Sequence, residues 1–156
     1  MIAPQDALLL SIHPEHAQSI FIGTKTVELR RVRPQVSKGS QVLIYVSSPI
    51  KALAGGFEVE EVIEDKPEKL WDRVRRYAAI TREQFDGYYT DAVTGYGIMI
   101  ANVWALDRAV PLEHLRKKLP GFQAPQGYRY LKDTDIRSVG VSRDSRSQST
   151  PRFPPS

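Results

Sequence analysis

Residues 23–30, Gly-Thr-Lys-Thr-Val-Glu-Leu-Arg, place an amine, a carboxylate and a guanidinium close together in the chain. In an extended strand, Thr26, Glu28 and Arg30 share one face and Val27 and Leu29 the other, because side chains alternate. Lys25 stands at the start of that strand. The apolar pair can serve a core while the polar set lines a shared surface. Such a set suits two kinds of chemistry. Lys25, Arg30 and Arg31 can meet an anionic group such as phosphate. Lys25 and Glu28 can exchange protons with a substrate, which makes them the catalytic candidates if the chain is an enzyme. The plainer alternative is an ion pair between Glu28 and Arg30 that ties the strand to its loop.

The elements that must position these residues read as a mixture of helices and strands. Ala7–Ile12 reads as a short buried strand. Pro14 then opens a helix that ends at Gly23, with Ala17, Ile20 and Phe21 as its apolar stripe. The strand Lys25–Arg31 follows, then a polar loop, then a β-branched strand from Gln41 to Ser47. Leu53–Ile63 reads as a long strand in which Gly55-Gly56 suggests a bulge or a close backbone approach. Asp65-Lys66-Pro67-Glu68 and Thr81-Arg82-Glu83-Gln84 both have the spacing of a capping box, so two helices are expected. The first should bury Leu70, Trp71, Val74 and Tyr77. Gly95–Leu106 reads as another long strand, Leu112–Leu119 as a short helix, and residues 121–131 as an aromatic, polar segment.

Size and composition bound the possibilities. The chain has 156 residues, enough for one domain with a real core. It has no cysteine, which excludes disulfides, thiolate catalysis and zinc–thiolate sites. No apolar run near the start is long enough for a signal sequence or a membrane span, so the expectation is a soluble cytoplasmic protein with no membrane contact. The net charge is +4, and residues 25–38 carry five basic side chains against the single carboxylate of Glu28. That stripe fits either an anionic partner or a solvated loop. After about Ser138 the composition turns to Ser, Arg, Gln, Thr and Pro. The expected division is therefore a folded domain over 1–137 and a disordered tail over 138–156, dispensable for folding.

Four ordered segments carry a family resemblance. They are Leu9-Leu10-Ser11-Ile12-His13-Pro14 with its helix, the Gly-x-Lys-x-x-Glu-x-Arg motif of Gly23–Arg30, Val42-Leu43-Ile44-Tyr45-Val46-Ser47-Ser48-Pro49, and Ala124-Pro125-Gln126-Gly127-Tyr128-Arg129-Tyr130-Leu131. Together they resemble the ASCH domain, a branch of the PUA-like superfamily, across roughly Ala7 to Leu131. The resemblance implies an α+β domain: a partly open, mixed β-barrel with flanking helices and a cleft between them. Members of the wider superfamily bind RNA or modified nucleobases in that cleft, and the ASCH branch is linked to RNA binding and to translation or transcription co-regulation. Some small bacterial members hydrolyse acylated cytidine, and some are linked to ribonuclease activity. In the amidohydrolase members a threonine three residues after the motif lysine is the nucleophile. Glu28 stands there in this chain, and a carboxylate is a poor substitute for a hydroxyl in acyl transfer.

The leading expectation is therefore an RNA- or nucleotide-binding protein without a cofactor. Its candidate ligand residues are Lys25, Thr26, Glu28, Arg30, Arg31, Gln126, Tyr128, Arg129 and Tyr130. The two tyrosines offer faces for stacking unpaired bases, or else belong to the barrel core. The alternatives are a small hydrolase acting on a modified nucleoside or on RNA, and a protein-interaction module. His13 and His16 lie three apart at a helix start, but no third ligand accompanies them, so no metal site is expected. Oligomeric state and the choice between RNA and DNA stay open.

Overall fold

The computed structural model describes residues 6–141 and 146–147. One mixed sheet organises them. Its strands are β1 (Ala7–Ile12), β2 (Val27–Arg30), β3 (Gln41–Val46), β4 (Ala52–Asp65), β5 (Gly95–Pro111), β6 (Tyr128–Leu131) and β7 (Arg146–Ser147). They run in the order β2-β5-β4-β3-β1-β6, and β7 adds to β5. β1 and β3 pair in parallel, and the remaining neighbours are antiparallel. The helices are α1 (Pro14–Ile22), α2 (Pro67–Val74), α3 (Arg82–Tyr88), α4 (Leu112–Lys118) and α5 (Asp133–Ser138). The sheet curls into a half-barrel with helices against both faces.

That double coverage explains the apolar run Ala7–Leu10 of β1. Leu8, Leu10 and Ile12 face one cluster with Val42, Ile44, Phe57, Ile98 and α1. Ala7 and Leu9 face the opposite cluster with Leu43, Trp104, Leu115 and Ile136. A strand buried on both sides reads as a near-continuous apolar run, and in β1 only the partly buried Ser11 interrupts it. A third cluster forms where Val27 and Leu29 of β2 meet Leu70, Val74 and Phe85 of α2 and α3.

The curl comes from β4 and β5, whose pairing slips between Leu53 and Gly55, between Gly56 and Glu58, and between Val59 and Glu61. Such bulges bend and twist a strand. Asn102 takes up the distortion with a φ of 51°, and its side-chain amide donates to the Glu58 carboxylate at 2.9 Å. Gly55 and Gly56 sit at the tightest approach. A Cβ on Gly55 would lie 2.3 Å from the Trp104 carbonyl oxygen, and one on Gly56 would lie 2.3 Å from that of Val42. Both readings of the glycine pair, a bulge and a close approach, therefore hold at once.

Several boundaries differ from the sequence reading. β2 begins at Val27, two residues later than expected, because the Lys25 and Thr26 N–H groups bond to Ser19 and Tyr77 carbonyls outside the sheet. β5 runs five residues further than expected, to Pro111, paired there with Ala52 and Leu53. The Thr81 capping box forms in both directions. The Asp65 box does not form. Pro67 fixes the first helical position, so the N-cap falls on Lys66, and Asp65 accepts from the Lys66 N–H and pairs with Arg73 at 3.6 Å. α2 then ends at Val74, which leaves Tyr77 outside it and 44% exposed. α5 was not anticipated from the pattern.

Part of the segment read as a tail packs on the body. Val139 and Val141 are buried in the cluster around Trp104, and Arg146 lies 4.0 Å above the Trp104 ring. Apolar side chains that fill a cluster outweigh the polar composition around them. Residues 142–145 and 148–156 lie outside the described residues.

Two outcomes follow from this packing. Gly55→Ala forces backbone apart, which should cost about 2 kcal/mol or more, and an unchanged denaturation midpoint would contradict the close approach. Burying each valine contributes roughly 1.5–3 kcal/mol. Truncation after Ser138 should therefore lower the melting temperature by roughly 5 °C or more in a chain of this length. No change would restore the tail to dispensability.

Candidate functional site

β2 is the edge strand that carries the motif, with β5 as its sheet partner. Val27 and Leu29 turn toward α2 and α3. Glu28 and Arg30 turn the other way, into a cavity of about 320 Å³ between β2, α1 and α3. Ile12, His13, His16, Lys25, Leu29, Ile80, Gln84 and Tyr88 complete its lining. The alternation expected from the sequence thus sorts β2 between core and cavity.

The α3 wall is fastened to β2 by polar contacts that only the fold creates. Arg31 donates to the carbonyls of Tyr88 at 2.7 Å and Thr90 at 2.9 Å. Carbonyls at a helix C-terminus lack intrahelical partners, and a guanidinium is well suited to satisfy them. In return the Tyr88 hydroxyl donates to the Leu29 carbonyl and the Tyr89 hydroxyl to that of Arg30. Burial pushes both tyrosine pKa values up, so these hydroxyls stay protonated and remain donors.

Lys25 and Glu28 are the buried charged residues of the site, 3% and 7% exposed. The Lys25 ammonium donates to the Ala78 carbonyl at 2.7 Å, just before Ala79, whose φ is 52°. Burial holds the lysine pKa below its ordinary value, and Glu28 opposes that shift. Burial also raises the Glu28 pKa, against the opposing pull of Lys25, Arg30, the Leu29 N–H and His13. Each group is moved toward its neutral form, the usual effect of leaving water. Arg30 lies 3.9 Å from the Glu28 carboxylate, a loose ion pair. His16 is half-buried on α1, and its pKa is lowered first by burial and then by Lys25.

The other candidate residues divide among different places. Thr26 is partly buried and spends its backbone on Tyr77 and Ile100, outside the cavity lining. Arg31 is engaged at the end of α3, and Arg33 pairs with Glu64 at 2.9 Å. Much of the basic stripe is therefore already partnered. Tyr128 and Tyr130 share one face of β6, as the period predicts, with ring centroids 5.8 Å apart. They pack against the barrel cluster, and the Tyr130 hydroxyl accepts the Gln35 N–H at 2.7 Å. Arg129 points the opposite way, over the Phe122 ring in a second cavity. Gln126 is exposed on the loop beside Arg30, where a Cβ on Gly127 would stand 3.2 Å from an Arg30 nitrogen.

Sequence reasoning missed Tyr88, Gln84 and Ile80 as lining residues, although the capping box located their helix. Nothing local says which strand that helix will face. His13 and His16 drew attention only for their spacing. Among the described residues no group of three acidic or histidine side chains could hold a metal ion. No helix among them is long and apolar enough to cross a membrane.

A half-barrel with an edge-strand pocket closed by inserted helices defines an ASCH/PUA-like fold. The ASCH domain model matches residues 10–104, and the chain belongs to that family. The chain is 26% identical over 131 residues to an ASCH domain-containing ribonuclease of Zymomonas mobilis, covering 84% of this chain and 88% of the relative. The crystal structure of ASCH from Zymomonas mobilis superposes with a TM-score of 0.83 at 25% identity, covering 93% of this chain and 99% of that one. A segment of large ribosomal subunit protein uL22 from Ureaplasma parvum is 24% identical over 128 residues, which is 81% of this chain and 40% of that protein.

The direction of the Glu28 shift has a consequence for stability. A carboxyl whose pKa is higher in the fold than in the unfolded chain stabilises the fold while it is protonated, and that contribution is lost as pH rises through the folded value. Glu28→Gln keeps the neutral shape. It should melt above the wild type at about pH 8, with the gap closing toward about pH 4. A lower midpoint at the alkaline end would mean that Lys25 and Arg30 outweigh the burial.

Proposed function

We propose that this chain acts on RNA in the cytoplasm, taking one unstacked nucleotide into the β2–α1–α3 cavity and cleaving the strand there. One observation carries the reading: Lys25, Glu28 and Arg30 converge on one cavity whose volume suits a single small ligand. RNA carries its own nucleophile, the ribose 2′-hydroxyl, so cleavage needs no hydroxyl from the protein. The absence of threonine at position 28 therefore does not count against it, as it does against acyl transfer. Cleavage needs a proton acceptor, a proton donor and a fixed cation for the charge that develops on phosphorus. Arg30 supplies the fixed cation, and the Lys25–Glu28 pair can donate. Tyr88 presents a ring at the wall where an unpaired base would rest. The name of the Zymomonas mobilis relative supports the same substrate class.

Binding without turnover is the second reading. It is favoured by the tie between the Lys25 ammonium and Ala78, which would serve a rigid binding pocket equally well.

Purified protein incubated with matched single-stranded RNA, single-stranded DNA and duplex RNA distinguishes these readings. Cleavage should be confined to single-stranded RNA. Arg30→Ala should slow it by about a hundredfold or more, as loss of a charge-stabilising donor does. Glu28→Gln should slow it similarly while leaving affinity largely intact. Affinity should fall as salt rises. Binding by the wild type with no cleavage would leave the second reading, and turnover of N4-acetylcytidine would assign the pocket to nucleoside hydrolysis.

A further inference from the structure

We propose that His16 is a catalytic residue of this cavity, accepting the proton of the ribose 2′-hydroxyl. The inference rests on the cleavage reading above and adds the one group which that reading lacks, the proton acceptor. In the step assigned to it, the imidazole takes the 2′-hydroxyl proton as the O2′–P bond forms. The P–O5′ bond breaks, and the Lys25–Glu28 pair delivers a proton to O5′. The products are a 2′,3′-cyclic phosphate and a free 5′-hydroxyl; His16 then returns its proton to water and the Lys25–Glu28 pair regains one from water.

The assignment follows from what each side chain in the cavity can hold near neutral pH. Arg30 is always protonated and accepts nothing. Lys25 gives its hydrogen bond to Ala78 as an ammonium. Burial pushes Glu28 toward its protonated form, in which it donates. Tyr88 donates to Leu29 and is held protonated. Gln84 does not titrate. His13 lies at the exposed N-cap of α1. His16 remains as a half-buried imidazole lining the cavity.

The surroundings keep it unprotonated. His16 sits in the first turn of α1, which starts at Pro14, where unpaired N–H groups give the helix a partial positive end. Lys25 and His13 add to that field, and Glu15 opposes it. Arg30 and Glu28 stand across the cavity on β2 as a loose pair. A histidine so placed is a poor cation and a ready acceptor at neutral pH. His16 lines the cavity, and the His13 ring meets it edge to face with centroids 6.4 Å apart.

The test uses a DNA oligonucleotide with a single ribonucleotide, which allows one cleavage position, and measures kcat/KM from about pH 5 to pH 9. The wild type should show an acid limb, because protonated His16 cannot accept. His16→Asn should lose about a hundredfold or more in rate, lose that limb, and keep its single-stranded RNA affinity. Added imidazole should restore part of the rate of His16→Ala. His16→Gln serves if the asparagine variant melts well below the wild type. A wild-type rate with an intact acid limb in His16→Asn would sink this assignment and leave RNA cleavage standing. A 5′-phosphate product would also remove it, since the 2′-hydroxyl would then not be the nucleophile. No cleavage by the wild type would remove the assignment and the cleavage reading together.

Discussion

A lysine ammonium excluded from water must find its partners inside the protein, and Lys25 finds one in the Ala78 carbonyl at 2.7 Å. That bond joins the turn before β2 to the link between α2 and α3. The carbonyl is presented from beside a residue at positive φ, Ala79, a conformation that costs a side-chain-bearing residue energy. The rest of the site depends on this anchor. It fixes the lysine in the cavity lining, which Ile80 and Gln84 share from the chain just beyond Ala78. It also places Glu28 in the field of a cation without a close ion pair.

The edge position of β2 explains the polar fastening around it. An edge strand exposes unpaired backbone groups, which proteins cover with other elements. Here the cover is α3, tied on by two tyrosine hydroxyls and by Arg31. The same contacts that protect the edge also roof the cavity. Structure and chemistry therefore share residues, and Arg31 holds the wall of the site.

Burial then acts on the titratable groups in a consistent direction. Lysine and carboxyl are both drawn toward neutrality, while Arg30 keeps its charge. A pocket of this kind sets one permanent cation beside a lysine and a carboxyl that burial moves toward their neutral forms. Perturbed groups gathered in one cleft are a feature of functional sites.

The strands, the helix at Pro14, the Thr81 capping box and the motif on β2 were legible in the residue pattern. They depend on local periods and on turn and cap chemistry, which neighbouring residues set. The alternation that sends Val27 and Leu29 to the core and Glu28 and Arg30 to the cavity is also local. Local pattern does not say which elements meet. It could not place Tyr88 opposite His16, send Arg129 away from Arg30, or engage Arg31 with the end of α3. Nor could it show that Val139 and Val141 would find an apolar cluster to fill. Those outcomes depend on sheet order and on contacts between residues far apart in the chain. The pKa shifts of Lys25, Glu28 and His16 belong with them, because burial exists only once the helices have closed over the strand.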